Sequence, residues 1–237
     1  MRSFAARSTE DEWMDGEDVT TADFAALIHD LAIVNTVTLA RRPTLNWLKR
    51  AARDLDHFSL VDVGSGEGDM LRAVHAWATK AGKTCRLTGI DINPRSEAAA
   101  RAATDPALGT DYVPADVSDY HPPTRPEFVG GAIGTHHMPD ALVARFLAWM
   151  DNAAARGWYN SDLRRHWFAY YGFGLLARVA RWHPTVVHDG QVSVARSFTR
   201  AEWEALIAAS GIDREGVSLT NEFPFRLCVG RNRCQNP

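Results

Sequence analysis

A strand that ends in a glycine-rich turn is the feature that most constrains this chain. The stretch LVDVGSGEGDML, residues 60–71, joins an apolar run to Gly64, Gly66 and Gly68 and then to a helix-like segment. Glycine tolerates positive φ and lets a ligand approach the backbone, and the first amides of the next helix have no partner within that helix. The turn therefore predicts an open α/β sheet with a ligand at the end of its first strand.

Strand-like and helical segments alternate through the middle of the chain. The runs FSLVDVG, TCRLTGIDI, TDYVPADV, EFVGGAIGT and RGWYNSDL read as strands, with helical patterns such as DMLRAVHAWATKAG between them. This alternation is typical of a parallel sheet covered on both faces. Near the end, REGVSLT and PFRLCVGR are close in sequence and predict an antiparallel pair at the sheet edge. The expected fold is a seven-stranded, doubly wound, mostly parallel sheet with an antiparallel edge strand and added N-terminal helices.

The chain divides into three predicted regions. Residues 1–20 are acidic and poor in apolar residues, so we expect a tail that is disordered or is ordered only by docking. Residues 21–56 show helical periodicity and predict a helical lid, in which Pro43 separates two helices. Residues 57–237 form the predicted core, with a helical insertion at about 162–182.

Composition excludes several classes of partner. A net charge of -3 gives no field that would attract nucleic acid. The sequence has no run of about 18 apolar residues, so no membrane span is predicted. The three cysteines, Cys85, Cys228 and Cys234, lack metal-like spacing. Cys85 and Cys228 lie in apolar runs and are expected to be buried thiols, which suits a cytoplasmic protein.

The glycine spacing separates two ligand classes. Dinucleotide-binding turns have the pattern G-x-G-x-x-G, whereas this turn has G-x-G-x-G preceded by Asp62, and GID follows in the next strand. These residues, together with LARRPTLNWL and THHMPDALVARFLAWM, resemble class I S-adenosylmethionine-dependent methyltransferases. They look most like small bacterial members that act on natural products or quinone-type compounds. The resemblance implies a Rossmann-like fold and S-adenosylmethionine as cofactor.

The resemblance also implies roles for matching positions. Asp62 would lie near the methionine amino group, and Asp91 would accept hydrogen bonds from both ribose hydroxyls. Ile92 would pack on adenine, and Asp116 would face its amino group. The full set implied to bind cofactor is Asp62, Gly64, Ser65, Gly66, Asp69, Met70, Asp91, Ile92, Asp116 and Val117.

Histidines mark the predicted acceptor side. The segment AIGTHHMPD lacks the Asn/Asp-Pro-Pro-Tyr type motif of enzymes that methylate amino groups of bases, and it places His136 and His137 after the fourth strand. Either could act as a general base on a hydroxyl, or could instead cap a helix or pack in the core. Asp162 and His166 are four residues apart and would share one face if this part is helical. They form either a second Asp-His pair that could act as general base or a surface ion pair.

Other residues could contribute to the same pocket. His183 and His188 could lie in this region. A dense aromatic run would form an apolar pocket wall, although such runs usually pack in the core. The run consists of Trp167, Phe168, Tyr170, Tyr171 and Phe173. No metal is predicted, because the chain shows no acidic cluster typical of magnesium-dependent methyltransferases and its cysteines are isolated.

The favoured function is O-methylation of a small, apolar, hydroxylated acceptor, aromatic or lipid-like, by a monomer or homodimer with a histidine base. Carbon methylation of a quinol-like ring is the alternative, since it needs the same base and cavity. An NAD-dependent oxidoreductase is disfavoured by the glycine spacing and by the lack of a Tyr-x-x-x-Lys pair. A catalytically silent protein that keeps the fold as an interaction module also stays open.

Overall fold

A seven-stranded sheet forms the centre of the molecule. The structure, a computed structural model, describes residues 3–16 and 19–233, so the prediction about Cys234 lies outside it. The strands are β1 His57–Val63, β2 Thr84–Asp91, β3 Asp111–Pro114, β4 Phe128–Ala132, β5 Gly157–Leu163, β6 Val217–Glu222 and β7 Arg226–Asn232. Their order is β3-β2-β1-β4-β5-β7-β6. Strands β1 to β5 are parallel, and β7 is antiparallel to both β5 and β6, which confirms the predicted fold.

Helices cover both faces of the sheet. They are α1 Thr21–Val37, α2 Arg42–Ala51, α3 Asp69–Lys80, α4 Pro94–Ala103, α5 Asp140–Ala153, α6 Trp167–Val179, α7 Pro184–Arg196 and α8 Arg200–Ala209. Successive strand residues point to opposite faces. Leu60 therefore packs in the cluster with α2 and α3, while its neighbour Val61 packs in the cluster with α5 and α8. The two cores hold the parallel strand ends in fixed positions.

The N-terminal helices begin and break where the sequence predicts. The side chain of Thr20 accepts a hydrogen bond from the amide of Asp23 and caps α1, and Pro43 lies in the first turn of α2. No single helix in the described ranges is both long and apolar enough to cross a membrane. Taken as a pair, α1 and α2 have the length and composition for it, but they are bent by 68° relative to each other.

Residues 3–16 lie against the C-terminal half of the fold. The amides of Trp13 and Met14 donate to the buried carboxylate of Asp189 on α7. Arg7 forms an ion pair with Asp140 and donates to the carbonyl oxygens of His136 and Met138. This N-terminal segment is therefore a described part of the structure that contacts both α7 and the start of α5.

Helix α7 was not predicted from the sequence. The helix begins at Pro184 and continues through Gly190, where Phe173 of α6 packs against it. A Cβ at Gly190 would lie 2.1 Å from the ring of Phe173, so glycine is required by the helix contact. The aromatic run of α6 does not form the expected pocket wall: Trp167, Phe168 and Tyr171 are exposed.

Candidate functional site

One large cavity opens at the carboxyl ends of the central strands. Its volume is about 590 Å³, within the range of small-molecule sites. The β1–α3 turn and the ends of β2 and β4 form its floor, and α1 contributes an apolar wall through Phe24, Ile28 and Leu31. Ligands of open α/β sheets bind at this edge, where the strand order reverses, and here the reversal lies between β1 and β4.

The glycine turn adopts the conformation that its sequence predicts. Gly64, Gly66 and Gly68 have φ values of 70°, 52° and 78°, a region that side chains disfavour. The amides of Gly64 and Ser65 both donate to the carbonyl oxygen of Ile90, at 2.8 and 3.1 Å. The turn is thus bound to the end of β2 while its outer surface lines the cavity.

Asp91 lies beside this turn at the end of β2. Its carboxylate accepts hydrogen bonds from the amides of Gly66 and Asn93, both at 2.9 Å. Ile92 is 72% exposed at the cavity rim, and Val117 is buried in the cavity lining. Asp116 also lines the cavity and caps the amide of Ser118. The structure therefore brings these predicted cofactor residues together around one space.

Asp62 is a buried carboxyl at the base of the cavity. Its side chain is 3% exposed, and no described residue donates a hydrogen bond to its carboxylate. Burial, together with the negative charges of Asp69 and Asp91, raises the pKa of Asp62 to about 7. A cluster of this kind favours a positively charged ligand group.

The first turn of α3 is tied to the N-terminal helices. Arg41 contacts Oδ2 of Asp69 at 3.2 Å, and the side-chain amide of Asn35 donates to the same oxygen at 3.4 Å. Met70, the next predicted cofactor residue, is buried and lines the cavity. The connection between α1 and α2 therefore lies over the glycine turn.

The histidine side of the cavity follows β4. Ile133 has φ 55°, a strained value for a β-branched residue, and the 3-10 turn Thr135–His137 comes directly after Gly134. Asp162, at the end of β5, accepts hydrogen bonds from the hydroxyl of Thr135, the amide of His136 and the His136 Nδ1, the last at 2.8 Å. One carboxylate thus fixes the whole turn.

His136 and Asp162 form a buried charged pair. Burial alone would lower the pKa of His136, but the charge of Asp162 and its hydrogen bond, with Glu12, raise it to about 9. Burial alone would raise the pKa of Asp162, and the opposite effect of His136 and Thr135 lowers it to about 2. The ring of His136 is therefore fixed with its Nδ1 directed to Asp162.

Glu12 approaches both histidines from the N-terminal segment. Its Oε1 lies 3.7 Å from Nε2 of His136 and 3.7 Å from Nε2 of His137, and it accepts from the Ser193 hydroxyl at 2.7 Å. Burial would raise the pKa of Glu12, but His136 and His137 lower it. Burial and the neighbouring charge of His136 lower the pKa of His137 to about 4, although its side chain is 36% exposed.

Sequence reasoning missed Glu12 and mispaired Asp162. The predicted helical face shared by Asp162 and His166 is wrong, because Asp162 lies in β5 whereas His166 caps α6 by accepting from the amide of Phe168. His166 is not among the residues that line the cavity. His183 caps α7, and His188 pairs with Asp189 and Glu10. The one sequence signal for Glu12 is the apolar pair Trp13 and Met14 beside it in an otherwise polar tail.

No protein-family model and no curated protein sequence matches the chain, whereas several solved structures share its fold. The plantazolicin methyltransferase BpumL, crystallised with a triazolic desmethylPZN analog and SAH, matches with a TM-score of 0.63 at 14% identity, over 88% of this chain and 91% of that one. Magnesium protoporphyrin IX methyltransferase (ChlM) from Synechocystis PCC 6803 with bound SAH matches with a TM-score of 0.53 at 14% identity, over 92% and 89%.

Human N-acetylserotonin methyltransferase (ASMT) in complex with SAM has the same core within a longer chain. It matches with a TM-score of 0.61 at 14% identity, over 92% of this chain and 59% of that one. At these identities the likeness defines the fold. The chain has the seven-stranded fold of class I S-adenosylmethionine-dependent methyltransferases, which confirms the fold that the glycine turn predicts.

Proposed function

We propose that this protein is an S-adenosylmethionine-dependent methyltransferase. The observation that carries the proposal is the pair of carboxyl groups at the glycine turn: buried Asp62, without a hydrogen-bond donor from any described residue, and Asp91, fixed by the Gly66 amide. Solved structures with the same fold hold SAM or SAH, and the charges of this cavity suit such a ligand.

The residues at the turn fit this cofactor. Asp62 would bind the positively charged amino group, and Asp91 would bind the ribose hydroxyls. Ile92 and Asp116 would contact the adenine. S-adenosylmethionine supplies a methyl group already activated on a sulfonium, so the chain itself has to align the acceptor, exclude water and remove the acceptor's proton.

We propose a hydroxyl oxygen on a small, largely apolar molecule as the acceptor. The cavity combines the apolar wall of α1 with polar groups that include His136 and His137, an arrangement typical of small-molecule sites. Three solved structures with this fold are named for three different substrates, so the fold by itself does not select the acceptor. Carbon methylation of a quinol-like ring would use the same groups.

Geometry favours His137 over His136 for contact with the acceptor. His136 is enclosed between Asp162 and Glu12, whereas the His137 side chain is partly exposed and lines the cavity.

The two described cysteines are free thiols, which supports the proposal of a cytoplasmic protein.

Cofactor binding tests the proposed function directly. Calorimetry and thermal unfolding of the full chain are measured with SAH and, separately, with NAD. We expect SAH to bind and to stabilise the fold by about 2.7 kcal/mol at a hundredfold excess over its dissociation constant. Asp91→Asn should weaken SAH at least about tenfold, equivalent to about 1.4 kcal/mol, because the ribose loses a charged acceptor.

The control for this variant is Asp105→Asn, which removes a carboxylate that also caps a backbone amide but lies outside the cavity. It should bind SAH like the wild type. Stabilisation by NAD and not by SAH would make the chain an oxidoreductase, and binding of neither would leave it a silent fold.

A second experiment tests the acceptor side. Methyl transfer from labelled S-adenosylmethionine is measured against a panel of phenols and other hydroxylated molecules. Once an acceptor is found, His137→Ala should lower turnover by about 100-fold or more while SAH affinity changes less than twofold. His166→Ala, at the α6 cap, should keep full turnover. Equal losses in both variants would remove His137 from the site.

A further inference from the structure

Three side chains from distant parts of the sequence meet at one wall of the cavity. Glu12, His136 and His137 each offer a ligand atom, and these atoms all lie within 4.8 Å of one another. The Glu12 carboxylate and the His136 ring are buried, and the His137 ring is partly exposed to the cavity. We name these three residues the Glu-His-His triad.

The spacing of the triad is too wide for direct hydrogen bonds and close to that of metal ligands. Both Nε2 atoms lie 3.7 Å from Oε1 of Glu12, whereas N–H···O hydrogen bonds are about 2.7–3.2 Å long. A tetrahedral zinc ion holds its nitrogen and oxygen ligands at about 2.0–2.2 Å, which separates neighbouring ligand atoms by about 3.4 Å. A shift of a few tenths of an ångström would bring Glu12 to that distance from both histidines, whose own ligand atoms lie within 4.8 Å of each other.

The surroundings of His136 are those of a metal ligand. Its Nδ1 is 2.8 Å from Asp162, and its buried Nε2 has no hydrogen-bond partner among the described residues. A carboxylate on the far nitrogen fixes the tautomer and aims the near nitrogen at a metal. The Ser193 hydroxyl donates to Oε1 of Glu12 at 2.7 Å and so fixes the carboxylate oxygen that faces both histidines.

The backbone of the triad is also held from outside. Arg7, on the N-terminal segment, donates to the carbonyl oxygens of His136 and Met138 at 2.9 and 3.0 Å. The segment that carries Glu12 is therefore fixed to the turn that carries both histidines. Rigid support of this kind favours a preorganised site over a chance cluster of polar groups.

We propose that the Glu-His-His triad binds one divalent transition-metal ion, with zinc the favoured ion. Two imidazoles and one carboxylate form the donor set of catalytic zinc sites, which keep a fourth position open, and borderline nitrogen donors bind zinc far better than magnesium. The open position would face the cavity.

The role of the ion rests on the proposed function, whereas its binding does not. A hydroxyl of the acceptor would bind through its oxygen, which lowers the pKa of that hydroxyl. The O–H bond would then break, the oxygen would keep the electron pair, and the proton would leave to water. His137 would in this case hold the ion rather than take the proton itself.

Metal content tests the site without any knowledge of the acceptor. The full, untagged chain is purified without chelator, and its zinc content is measured by mass spectrometry. A competing chelator then gives the affinity for Zn²⁺, and Co²⁺ substitution gives a visible spectrum of a tetrahedral nitrogen and oxygen site. We expect one equivalent of zinc per chain, and about tenfold or greater loss of affinity in Glu12→Gln and in His137→Gln.

Matched variants control for damage to the fold. Glu10→Gln changes a neighbouring carboxylate of the same segment, and His29→Gln changes a histidine that contacts Glu67 at 3.1 Å outside the triad. Both should keep wild-type affinity, and circular dichroism should show all four variants folded. Should Glu12→Gln unfold, His137→Gln alone decides, since its side chain is partly exposed.

Two results would overturn the proposal. One is a folded wild type that binds no Zn²⁺ in competition with the chelator, and the other is binding that survives in both triad variants, which would place the ion elsewhere. SAH affinity is measured in the same preparations. SAH binding without zinc binding would reject the metal site and leave the methyltransferase proposal standing. Zinc binding without SAH binding would support the metal site and reject the methyltransferase proposal.

Discussion

Single residues at the cavity owe their chemistry to what lies within a few ångströms of them. Asp62 is the clearest example, because no described residue offers its carboxylate a hydrogen bond while Asp69 and Asp91 add negative charge nearby. A carboxyl in this setting is close to half protonated at neutral pH. A positively charged ligand would favour its ionised form.

We expect the affinity for SAH to depend on pH through Asp62. Its pKa of about 7 in the free protein means that binding below pH 7 has to displace a proton, so affinity should rise about tenfold from pH 6 to pH 8. Calorimetry across this range gives the slope. Asp62→Asn should bind more weakly and show no such rise; an unchanged slope in the variant would assign it to another group.

The same group affects stability with a defined sign. The pKa of Asp62 is raised in the folded protein above its value of 3.8, so the native state binds the proton more tightly than the unfolded state. The free energy of unfolding contributed by Asp62 therefore falls as pH rises from about 4 to about 7. Denaturant unfolding of wild type and Asp62→Asn across these pH values should show the difference, provided that the Asn variant is folded.

At the scale of elements, the β1–α3 turn depends on both backbone conformation and close packing. Gly68 precedes α3 with φ 78°, and a Cβ there would lie 2.1 Å from the hydroxyl of Tyr112. That hydroxyl is in turn hydrogen-bonded to Thr104 at 2.9 Å. The glycine therefore serves the contact between the turn and β3 as well as the bend itself.

We expect Gly68→Ala to destabilise the protein much more than Gly82→Ala. Both glycines have positive φ, 78° and 69°, but a Cβ at Gly82 would meet nothing within 4 Å. Gly82→Ala should therefore cost only the conformational strain, about 1–2 kcal/mol, while Gly68→Ala adds a steric clash of about 1–3 kcal/mol. Urea unfolding at a fixed pH measures both; equal costs would show that Tyr112 can move aside freely.

At the scale of the whole molecule, residues from the N-terminal segment to α7 meet around one cavity. The N-terminal segment reaches α7 and the turn after β4, while β7 is inserted between β5 and β6. The site therefore combines residues contributed before, within and after the parallel strands. The Glu-His-His triad forms only when the N-terminal segment is in place, because Glu12 belongs to that segment.

The sequence by itself determined the sheet, the order of most elements and the glycine-turn side of the cavity. Those features come from local patterns: the alternation of strands and helices, the three glycines of the turn, and carboxylates at the ends of β1 and β2. Asp91 could be placed near Gly66 because the ends of neighbouring parallel strands meet at one edge of a sheet.

Only the tertiary structure decided the arrangement of the histidine side of the cavity. Asp162 and His166 are close in sequence, yet β5 ends between them, and the structure pairs Asp162 with His136 instead. Glu12 has no spacing relation to either histidine, and α7 continues through Gly190, against which Phe173 packs. Contacts of this kind depend on long-range packing and charge burial, which local periodicity does not record.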